Sequence, residues 1–406
     1  MSLLPVADAL VKVVANVKTL PTVEVPIQVA RGRTLASTIT ALRTQPGFHA
    51  SAMDGYAVRA EDASDGATLD LIGESAAGHG YAGRVGEKQA VRIFTGAPVP
   101  DGADAVVIQE NTRRDGSRVI IASGVRPGAN IRSRGLDFAE GTEALTPGSV
   151  IGPRDIALAA AMNHPRLPVR RKPKVAILAT GDELVLPGEA VGQDQIVASN
   201  TFAIAALVEA EGGDVLDLGI ASDDFPALEA AIKRARNEKA DILVTIGGAS
   251  VGDHDLIQTA LTREGMTLGF WKIAMRPGKP LLHGRLGGMH ILGLPGNPVS
   301  SVVCSVLFLV PLLRTLLGRA ETNLARRKAV FAASWPANDL REDYIRARFV
   351  LDDASGIIKV APLAPQDSSL VSVLQHADCL VIRPPFAPEA KPGDVCEIID
   401  LRAAGY

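Results

Sequence analysis

The chain has few cysteines and histidines, which excludes whole classes of protein. Three cysteines occur in 406 residues, Cys304, Cys379 and Cys396, and their spacing matches no metal-binding motif. An odd number of thiols cannot pair completely, so we expect reduced thiols in the core rather than a disulfide scaffold. The seven histidines are equally scattered. The sequence therefore predicts neither a zinc site nor a cysteine nucleophile.

The chain also lacks a net charge and a long hydrophobic run. Its 42 basic residues nearly balance 45 acidic ones, and the net charge of −3 predicts no affinity for nucleic acid. The longest apolar run, residues 299–313, contains serines, Cys304 and Pro311 and is too short to span a bilayer. Residues 1–5 carry neither the basic region nor the cleavage site of a secretion signal. We expect a cytoplasmic protein without a membrane partner.

The most informative stretch is a glycine-rich loop at residues 247–255, which follows a strand-like run at residues 241–246. Its glycines let backbone N–H groups approach an oxyanion, and a helix-like segment follows with its positive N-terminus toward the same place. The loop also carries two aspartates. Like charges about 4 Å apart repel by roughly 4 kcal/mol at an effective dielectric of 20, so a phosphate there needs a bridging cation. The loop therefore predicts a phosphate site with Mg²⁺.

Two neighbouring strand-like runs end in acidic loops of the same kind. Residues 174–179 precede a loop that contains Glu183, and residues 214–220 precede a loop that contains Asp223. The alternative role for each acid is to cap the helix that follows it. Three acidic loops in one region favour a functional cleft over three separate caps.

Helical patterns lie between these strands, at residues 199–211 and 226–237. A polar cap begins the first helix and a Gly-Gly pair ends it. Strands that alternate with helices predict a parallel sheet, and ligands bind outside the carboxyl ends of such strands. We therefore expect Glu183, Asp223 and Asp255 to converge on one crevice.

A cationic turn at residues 271–280 supplies charge opposite to that of the acidic loops. Lys272, Arg276 and Lys279 fall within eight residues, and prolines and a glycine restrict the backbone between them. Cations that are held rigidly suit a bound anion. Solvated lysines on the surface are the alternative.

A second rigid turn, Pro295-Gly296-Asn297-Pro298, precedes the long apolar run. We expect Asn297 or Ser300 to cap the helix that starts here, so that the N-terminus of the helix faces a ligand. An ordinary tight turn is the alternative.

The character of the sequence changes several times along the chain. A helical pattern at residues 5–17 is followed by a glycine-rich, β-like region at residues 47–134. A second helical pattern at residues 156–163 precedes a basic linker that contains proline, at residues 166–174. Near the C-terminus, short alternating segments predict a small β-barrel. These segments are residues 328–334, 345–351 and 379–383.

Six motifs of the chain together resemble the MoeA family. They are residues 51–58, 95–100, 180–183, 247–255, 276–280 and 295–300. The resemblance covers essentially the whole chain, keeps the order and spacing of the segments, and extends to the E domain of gephyrin and of its plant counterpart. The combination is far more specific than any single motif.

The resemblance implies both a function and a fold. Members are molybdopterin molybdenumtransferases, so the chain would bind adenylylated molybdopterin, insert molybdate and release AMP, with Mg²⁺ as cofactor. It would form a homodimer, with molybdopterin adenylyltransferase and apo-molybdoenzymes as further partners. The implied fold is multidomain. An elongated α+β domain comprises residues 1–46 and 135–171, and a β-rich domain at residues 47–134 is inserted into it. A MogA-like α/β domain follows at residues 172–318, doubly wound and with a mostly parallel sheet. A small β-barrel at residues 322–406 forms the C-terminal domain.

The motifs and the resemblance together assign the candidate site residues. Catalytic roles fall to Asp54, Thr95, Glu183, Asp223 and Asp255, of which the last three are the metal ligands. Substrate contacts fall to Gly247, Gly248, Ser250, Gly252, Lys272, Arg276, Lys279, Pro295, Gly296, Asn297, Pro298, Ser300, Arg346 and Ser368. The planar guanidinium of Arg346 suits a tetrahedral oxyanion such as molybdate.

Asp54 and Thr95 lie far along the chain from the main cleft. The homodimer implied by the resemblance explains this, because one subunit then completes the site of its partner. From the residues alone, Asp54 fits an Asx-turn and Thr95 fits the turn that it precedes. Arg346 fits a surface salt bridge as well.

Three positions depart from the family pattern. His49 and Ala50 stand where many relatives have an acidic residue and an amide, and Arg276 stands where lysine is frequent. Arginine keeps the charge but changes the geometry of the donors, so it bears on substrate affinity more than on activity.

Two rival functions remain at this point. A molybdopterin adenylyltransferase shares the α/β domain, but it lacks counterparts of residues 51–58 and 95–100. A scaffold role, as for the gephyrin E domain, is disfavoured by the intact acidic loops.

Overall fold

The computed structural model describes residues 3–247, 256–350 and 356–406. An elongated α+β unit is built from two separated stretches of the chain. Thr22–Pro26 pairs antiparallel with Arg166–Arg170, and Ile39–Thr40 pairs antiparallel with Glu143–Leu145. The helix Pro153–Ala161 lies beside them, and both stretches contribute to one hydrophobic cluster. The elongated α+β architecture is confirmed, while the exact domain boundaries stay a prediction.

The N-terminal helix is shorter than predicted and packs in a different place. It runs Val6–Val14, and the next residue, Ala15, is extended. Its buried side chains Val6, Ala9 and Val13 recur at intervals of three and four, which puts them on one helix face. This face packs into the core of the α/β domain rather than into the elongated unit. The helix therefore connects two domains.

The inserted domain is a six-stranded sheet that is covered on both faces. Its strands lie in the order Ala105–Ile108, Gly55–Val58, Gln89–Ile93, Thr68–Ser75, Arg118–Ile121 and Thr112–Asp115. Tyr56 and Val58 enter one hydrophobic cluster and Ala57 enters the other, as the two-residue period of a strand requires. At Gly55 a Cβ atom would overlap the backbone carbonyl of Val107, so only glycine fits directly after Asp54.

The α/β domain contains a doubly wound six-stranded sheet. Its strands lie in the order Asp214–Ala221, Lys174–Thr180, Ile242–Ile246, Met289–Leu294, Leu282–Leu286 and Thr267–Trp271. The first four are parallel and the last two are antiparallel to their neighbours. Ile177 and Val244 enter one hydrophobic cluster, while Leu178 and Leu243 enter another on the opposite face. The predicted, mostly parallel sheet is confirmed.

The helices that link these strands agree with the sequence pattern. They run Asn200–Ala210 and Phe225–Asn237, close to the predicted ranges. The second is capped by Asp224, whose carboxylate accepts a hydrogen bond from the N–H of Ala227 at 2.8 Å. The capping alternative is thus correct for Asp224 and leaves its neighbour Asp223 available for another role.

The apolar segment behind the sheet is longer than the sequence suggested. It comprises Pro298–Cys304, a π-helical turn Ser305–Leu309, and Val310–Leu316. Pro311 lacks the N–H that would continue the α-helical pattern at this turn. The 19-residue segment is long and apolar enough to cross a membrane, but 83% of it is buried inside the protein. The prediction that it is too short was wrong, and its burial shows it to be a core helix.

The C-terminal domain is a closed five-stranded barrel, as predicted. Its strands are Arg326–Phe331, Glu342–Val350, Lys359–Pro362, Cys379–Arg383 and Val395–Asp400. Each strand pairs with two others, so the ring closes between Glu342–Val350 and Cys379–Arg383. Met275–Arg276 pairs with the start of Glu342–Val350 and so attaches the cationic turn to the barrel. The three cysteines are buried and unpaired, as expected.

The remaining elements are short. They are the strand pairs Ala50–Ser51 with Ile131–Arg132 and Leu184–Val185 with Ile196–Val197, the helices Leu256–Arg263 and Val371–Gln375, and the 3-10 turns Ile27–Val29, Ala60–Asp62 and Gln109–Asn111.

A buried ionic cluster joins the end of the chain to the α/β domain. Glu211 is 3% exposed and accepts hydrogen bonds from Arg314 at 2.8 and 3.0 Å, from Arg319 and from the hydroxyl of Tyr406. Burial alone would raise the pKa of Glu211, but the hydrogen bonds from Arg314 and Tyr406 and the charge of Arg319 lower it overall. The carboxylate is therefore ionised in the folded protein at neutral pH.

Replacing Glu211 by alanine should destabilise the protein by about 3–5 kcal/mol, because two partly buried arginines lose their buried carboxylate partner. The measurement is urea unfolding of this variant against Glu209→Ala, which removes an exposed carboxylate from the same helix and should change stability by less than about 0.5 kcal/mol. A carboxylate with a lowered folded pKa stabilises only while ionised, so the wild type should lose this contribution as the pH falls through that pKa. Equal, small effects of both substitutions would contradict the role of the cluster.

Candidate active site

A cavity of about 410 Å³ opens at the carboxyl ends of the parallel strands. Thr180 ends one strand and Gly247 follows another, and the start of the helix Asn200–Ala210 forms a second wall. The turn that contains Asn297 closes the far side. The position is where a parallel sheet binds its ligands.

The strand ends leave polar groups and free space in this cavity. The Thr180 hydroxyl is buried and has no hydrogen-bond partner in the described part of the chain. Gly247 adopts a φ of +93°, and a Cβ there would lie 2.6 Å from the carbonyl oxygen of Thr180. At Gly181 a Cβ would overlap the carboxylate of Glu183. Glycine at both positions therefore lets these segments of the protein pack closely, while the unpartnered Thr180 hydroxyl remains available to a ligand with polar atoms.

The predicted acidic residues on two of the loops are near enough for their charges to interact, although Asp223 is not among the described residues that line the cavity. Glu183 lines the cavity, and the N–H of Asp223 donates to the Asp182 carboxylate at 3.2 Å. Burial raises the pKa of Asp223, and the negative charges of Asp182 and Glu183 raise it further. Repulsion between neighbouring carboxylates is a condition that a bound divalent cation relieves.

The proposed metal ligand set is only partly described. Within residues 3–247, 256–350 and 356–406, no three acidic, histidine or cysteine side chains are close enough together to hold one metal ion. Asp255, the third predicted ligand, lies outside the described residues, as do Gly248, Ser250 and Gly252 of the glycine-rich loop. Glu183 and Asp223 are thus the described members of the predicted set.

The Pro295-Gly296-Asn297-Pro298 turn links the cavity to the barrel. The amide of Asn200 donates to the carbonyl of Gly296 at 2.7 Å, and the amide of Asn297 donates to the hydroxyl of Ser368 at 2.8 Å. Two predicted site residues from different domains, Asn297 and Ser368, are therefore in direct contact.

The helix that follows begins at Pro298, and Asn297 occupies the capping position without a capping hydrogen bond from its side chain. Asn297 is therefore the N-cap residue, one of the two predicted, although its side chain makes no capping hydrogen bond. Its amide is bonded to Ser368 of the barrel instead, and Ser300 is buried within the first turn of the helix.

The three cations of residues 271–280 point in different directions. The Lys272 ammonium lies 3.8 Å from the ring centroid of Trp271, and Lys279 is exposed. The Arg276 guanidinium donates to Asp343 at 2.8 Å and to Asn338 at 3.0 Å. As far as the structure describes the chain, none of the three lines the 410 Å³ cavity. The sequence predicted their charge but not these partners.

Arg346 is almost completely buried, at 1% exposure, rather than on the surface. Its guanidinium donates to the carbonyl of Tyr344 at 3.0 Å and to the carbonyl of Gln366, and its Nε has no partner among the described residues. Burial lowers its pKa to about 10, against the attraction of Asp343 and Asp367. Arg346 therefore stays charged at neutral pH. Among the described residues no carboxylate is hydrogen-bonded to it, so the surface salt bridge that the sequence left open is not found there.

Asp54 and Thr95 form a pair in the inserted domain. The Asp54 carboxylate accepts from the backbone N–H of Thr95 at 2.7 Å and from its hydroxyl at 2.8 Å. These two hydrogen bonds hold the pKa of Asp54 below its usual range. The pair is exposed. Neither residue is among the described residues of the same chain that line the 410 Å³ cavity. The sequence indicated both residues separately but not their contact.

Several polar residues of the site were missed from the sequence. Asn200, considered only as a helix cap, bonds the Gly296 carbonyl, and Thr180 presents its hydroxyl at a strand end. Asp182, which is adjacent to Glu183, was not selected although it contacts Asp223. The available signal for Thr180 and Asp182 was their position at the carboxyl end of the strand Lys174–Thr180.

Comparison with known proteins agrees with this architecture over nearly the whole chain. Residues 4–163 match the family described as MoeA N-terminal region (domain I and II), residues 176–315 match the probable molybdopterin binding domain, and residues 328–401 match MoeA C-terminal region (domain IV). A solved structure of a molybdopterin biosynthesis MoeA protein from Pyrococcus horikoshii superposes with a TM-score of 0.86 at 30% identity, covering 98% of this chain and 99% of the other.

Curated relatives are similar over most of their length. The molybdopterin molybdenumtransferase of Haemophilus influenzae is 34% identical over 358 residues, which is 88% of each chain. Molybdopterin molybdenumtransferase 2 of Mycobacterium tuberculosis is 35% identical over 390 residues, which is 93% of this chain and 95% of the relative. The Bacillus subtilis molybdopterin molybdenumtransferase is 33% identical over 408 residues, with 98% and 94% coverage.

The fold and the cavity at the carboxyl ends of the strands therefore define a multidomain protein with a molybdopterin-binding type of α/β domain. The chain belongs to the MoeA family, as the sequence motifs predicted. It is accordingly a transferase of molybdenum cofactor biosynthesis.

Proposed function

We propose that this protein inserts molybdate into adenylylated molybdopterin and releases AMP. The observation that carries the proposal is the cavity that has Glu183 on one wall and the Asn297 turn on the other, in a chain of the MoeA family. The cavity suits the phosphate part of a nucleotide, because the N-terminus of the helix Asn200–Ala210 forms one of its walls. The chemistry is a transfer assisted by positioning and charge.

The acidic loops would hold Mg²⁺, with Glu183, Asp223 and Asp255 as direct or water-mediated ligands. The raised pKa of Asp223 supports this role, since the two neighbouring carboxylates repel it when it is ionised. A bound Mg²⁺ would supply charge neutralisation for the release of AMP. Glu183 and Asp223 would position the metal ion. Asn200 and the turn that contains Asn297 would hold the rest of the ligand.

The cationic residues would hold and orient molybdate. Arg346 retains an unpartnered Nε–H within the described residues, which supports a role in binding an oxyanion. Lys272, Arg276 and Lys279 would neutralise negative charge as the oxyanion approaches the dithiolene, with Ser368 and the Pro295–Pro298 turn at the boundary of the two domains. This is catalysis by orientation and electrostatics without a covalent enzyme intermediate.

Asp54 and Thr95 would act across the interface of a homodimer, where one subunit completes the site of its partner. Their exposure, and their absence from the cavity lining of a single described chain, support this arrangement. Molybdopterin adenylyltransferase, as the source of the substrate, and apo-molybdoenzymes, as recipients of the product, would be further partners in the cytoplasm.

The direct experiment mixes the purified protein with adenylylated molybdopterin and Mg²⁺ and follows AMP release with and without molybdate. We expect release that depends on both molybdate and Mg²⁺, because the oxyanion and the metal occupy the same reaction centre. Consumption of ATP on addition of free molybdopterin, without molybdate-dependent release, would indicate an adenylyltransferase instead. Inactivity in both assays would indicate a scaffold.

A further inference from the structure

Asp54 is held from several sides within the inserted domain. Its carboxylate accepts two hydrogen bonds from Thr95, and its own carbonyl accepts from the backbone N–H of Gln109 at 3.0 Å. At the next residue, Gly55, the chain passes too close to the carbonyl of Val107 for any side chain to fit. The side chain and the backbone of Asp54 are therefore held by separate partners.

Arg92 connects the backbone supports of Asp54. It lies in Gln89–Ile93, an inner strand of the six-stranded sheet. Its Nη1 donates to the carbonyl of Gly55 at 3.0 Å, and its Nη2 donates to the side-chain oxygen of Gln109 at 2.8 Å. One guanidinium therefore joins the residue that follows Asp54 to the residue whose N–H holds the Asp54 carbonyl.

Two aromatic rings restrict the Arg92 side chain. The guanidinium carbon lies 4.8 Å from the ring centroid of Phe94 and 5.2 Å from that of Tyr56. Cations are attracted to the faces of aromatic rings at such distances. Two hydrogen bonds and two rings leave the guanidinium little freedom to move, and a side chain that is itself fixed can hold its neighbours in place.

The charge of Arg92 also acts on Asp54. Both hydrogen-bond acceptors of the guanidinium, on Gly55 and Gln109, are uncharged and do not neutralise it. The hydrogen bonds from Thr95 lower the pKa of Asp54 most, burial opposes them, and the positive charge of Arg92 lowers the pKa further. Asp54 is therefore ionised at neutral pH, and Arg92 favours that state.

We propose that Arg92 is a positioning residue for the transfer reaction, which fixes the Asp54 carboxylate through its contacts with Gly55 and Gln109. The inference rests on the function proposed above, in which Asp54 takes part in the reaction. Arg92 acts through Asp54 and does not touch the substrate. A misplacement of a reacting group by about 1 Å can lower a rate by about 100-fold, so a contact that fixes such a group has a large effect.

The steady-state kinetics of Arg92→Met test this role. Methionine keeps an apolar side chain between the two rings but removes the charge and both hydrogen bonds. We expect kcat for molybdate-dependent AMP release to fall at least about tenfold, with the KM for adenylylated molybdopterin within about twofold of the wild-type value. A raised KM with an unchanged kcat would overturn the proposal, because it would indicate that Arg92 binds the substrate directly.

Two further variants are the matched controls. Arg92→Lys keeps the charge but loses the planar fork, so it should recover part of the lost rate and stay several-fold below the wild type. Arg118 forms an exposed ion pair with Asp70 in the same domain, and Arg118→Met should be fully active. Thermal melting checks that each variant is folded. If Arg92→Met does not fold, Gln109→Ala replaces it, because it removes one contact of Arg92 and should lower kcat several-fold at an unchanged KM.

A double substitution shows whether Arg92 acts through Asp54. The slow AMP release that remains in Asp54→Asn is followed in single-turnover reactions with excess enzyme. In this background Arg92→Met should change the rate by less than about twofold, because the carboxylate that Arg92 positions is already lost. A further loss of about tenfold would indicate an independent structural effect and would contradict the proposal.

Failure of this inference is distinguishable from failure of the proposed function. If the wild type releases AMP in response to molybdate and Arg92→Met is equally active, only the role of Arg92 is wrong. If the folded wild type releases no AMP, the proposed function itself is wrong. Full activity of Asp54→Asn would remove the role of Asp54 in the reaction and, with it, that of Arg92.

Discussion

Replacement of Asp223 by asparagine is expected to reduce molybdate-dependent AMP release by at least about 100-fold, as removal of a group that holds a metal or stabilises charge commonly does. The side chain keeps its size but loses the negative charge that, with Glu183, would bind Mg²⁺. The measurement is the rate of AMP release at saturating substrate over a range of Mg²⁺ concentrations. A raised Mg²⁺ requirement would identify the defect as one of metal binding.

The Asp223→Asn substitution should not lower the stability of the folded protein, although it lowers the activity. Because burial and the charges of Asp182 and Glu183 raise the pKa of Asp223, the folded protein holds that proton more tightly than the unfolded chain does. Ionised Asp223 therefore destabilises the folded protein at neutral pH. This destabilisation is lost as the pH falls through the raised pKa, because the carboxylate is then protonated. Without Mg²⁺, Asp223→Asn should thus melt at the same temperature as the wild type or higher. Addition of Mg²⁺ should stabilise the wild type more than the variant.

The neighbouring residue provides the matched control. Asp224 caps the helix Phe225–Asn237 through the N–H of Ala227, and asparagine caps helices equally well. Asp224→Asn should therefore retain wild-type activity and stability. The metal assignment fails if Asp223→Asn keeps full Mg²⁺-dependent AMP release, or if both substitutions reduce it to the same extent.

Mixing two inactive variants should restore activity if the site is shared between subunits. Asp54→Asn and Asp223→Asn would each inactivate every site of their own homodimers. After subunit exchange, mixed dimers contain one site with both native residues and one site with neither. Random pairing should therefore recover roughly a quarter of the wild-type AMP release, since about half of the dimers are mixed and half of their sites are intact.

The mixing experiment separates two arrangements of Asp54. If Asp54 acts within its own subunit, no mixed dimer contains an intact site and the activity stays at the level of the unmixed variants. Asp70→Asn is a suitable control, because Asp70 forms an exposed ion pair with Arg118 in the same inserted domain. This variant should be fully active alone. Dimer formation by each variant should be verified by light scattering before the subunits are mixed.

The elements of the α/β domain could be predicted from sequence because their signals are local. Residues 174–179 and 241–246 are apolar on both faces, as strands of a covered parallel sheet must be, and the structure has strands at Lys174–Thr180 and Ile242–Ile246. The helices between the strands follow from apolar spacing and from polar caps. The cavity followed from topology, since parallel strands place their carboxyl ends on one edge.

The contacts that complete the site could not be predicted in this way. Asp54 and Thr95 are 41 residues apart, and Asn297 and Ser368 are 71 residues apart. No sequence pattern marks either pair. Each contact depends on how turns and domains are arranged in space, and not on the number of residues between the two partners. The same reason applies to the side chain of the N-cap residue Asn297, which is bonded across the domain boundary and not to its own helix.

The sequence by itself determined the family, the alternation of strands and helices, the barrel and the acidic strand ends of this protein. These depend on side-chain periods of two and about 3.6 residues and on the conformational limits of glycine and proline, which act over a few residues. Only the tertiary structure decided that the N-terminal helix packs on the α/β core, that Asp343 and Asn338 hold Arg276, and that Arg346 and Arg383 are buried. Those outcomes depend on packing and electrostatics between segments far apart in the chain, for which the local pattern carries no information.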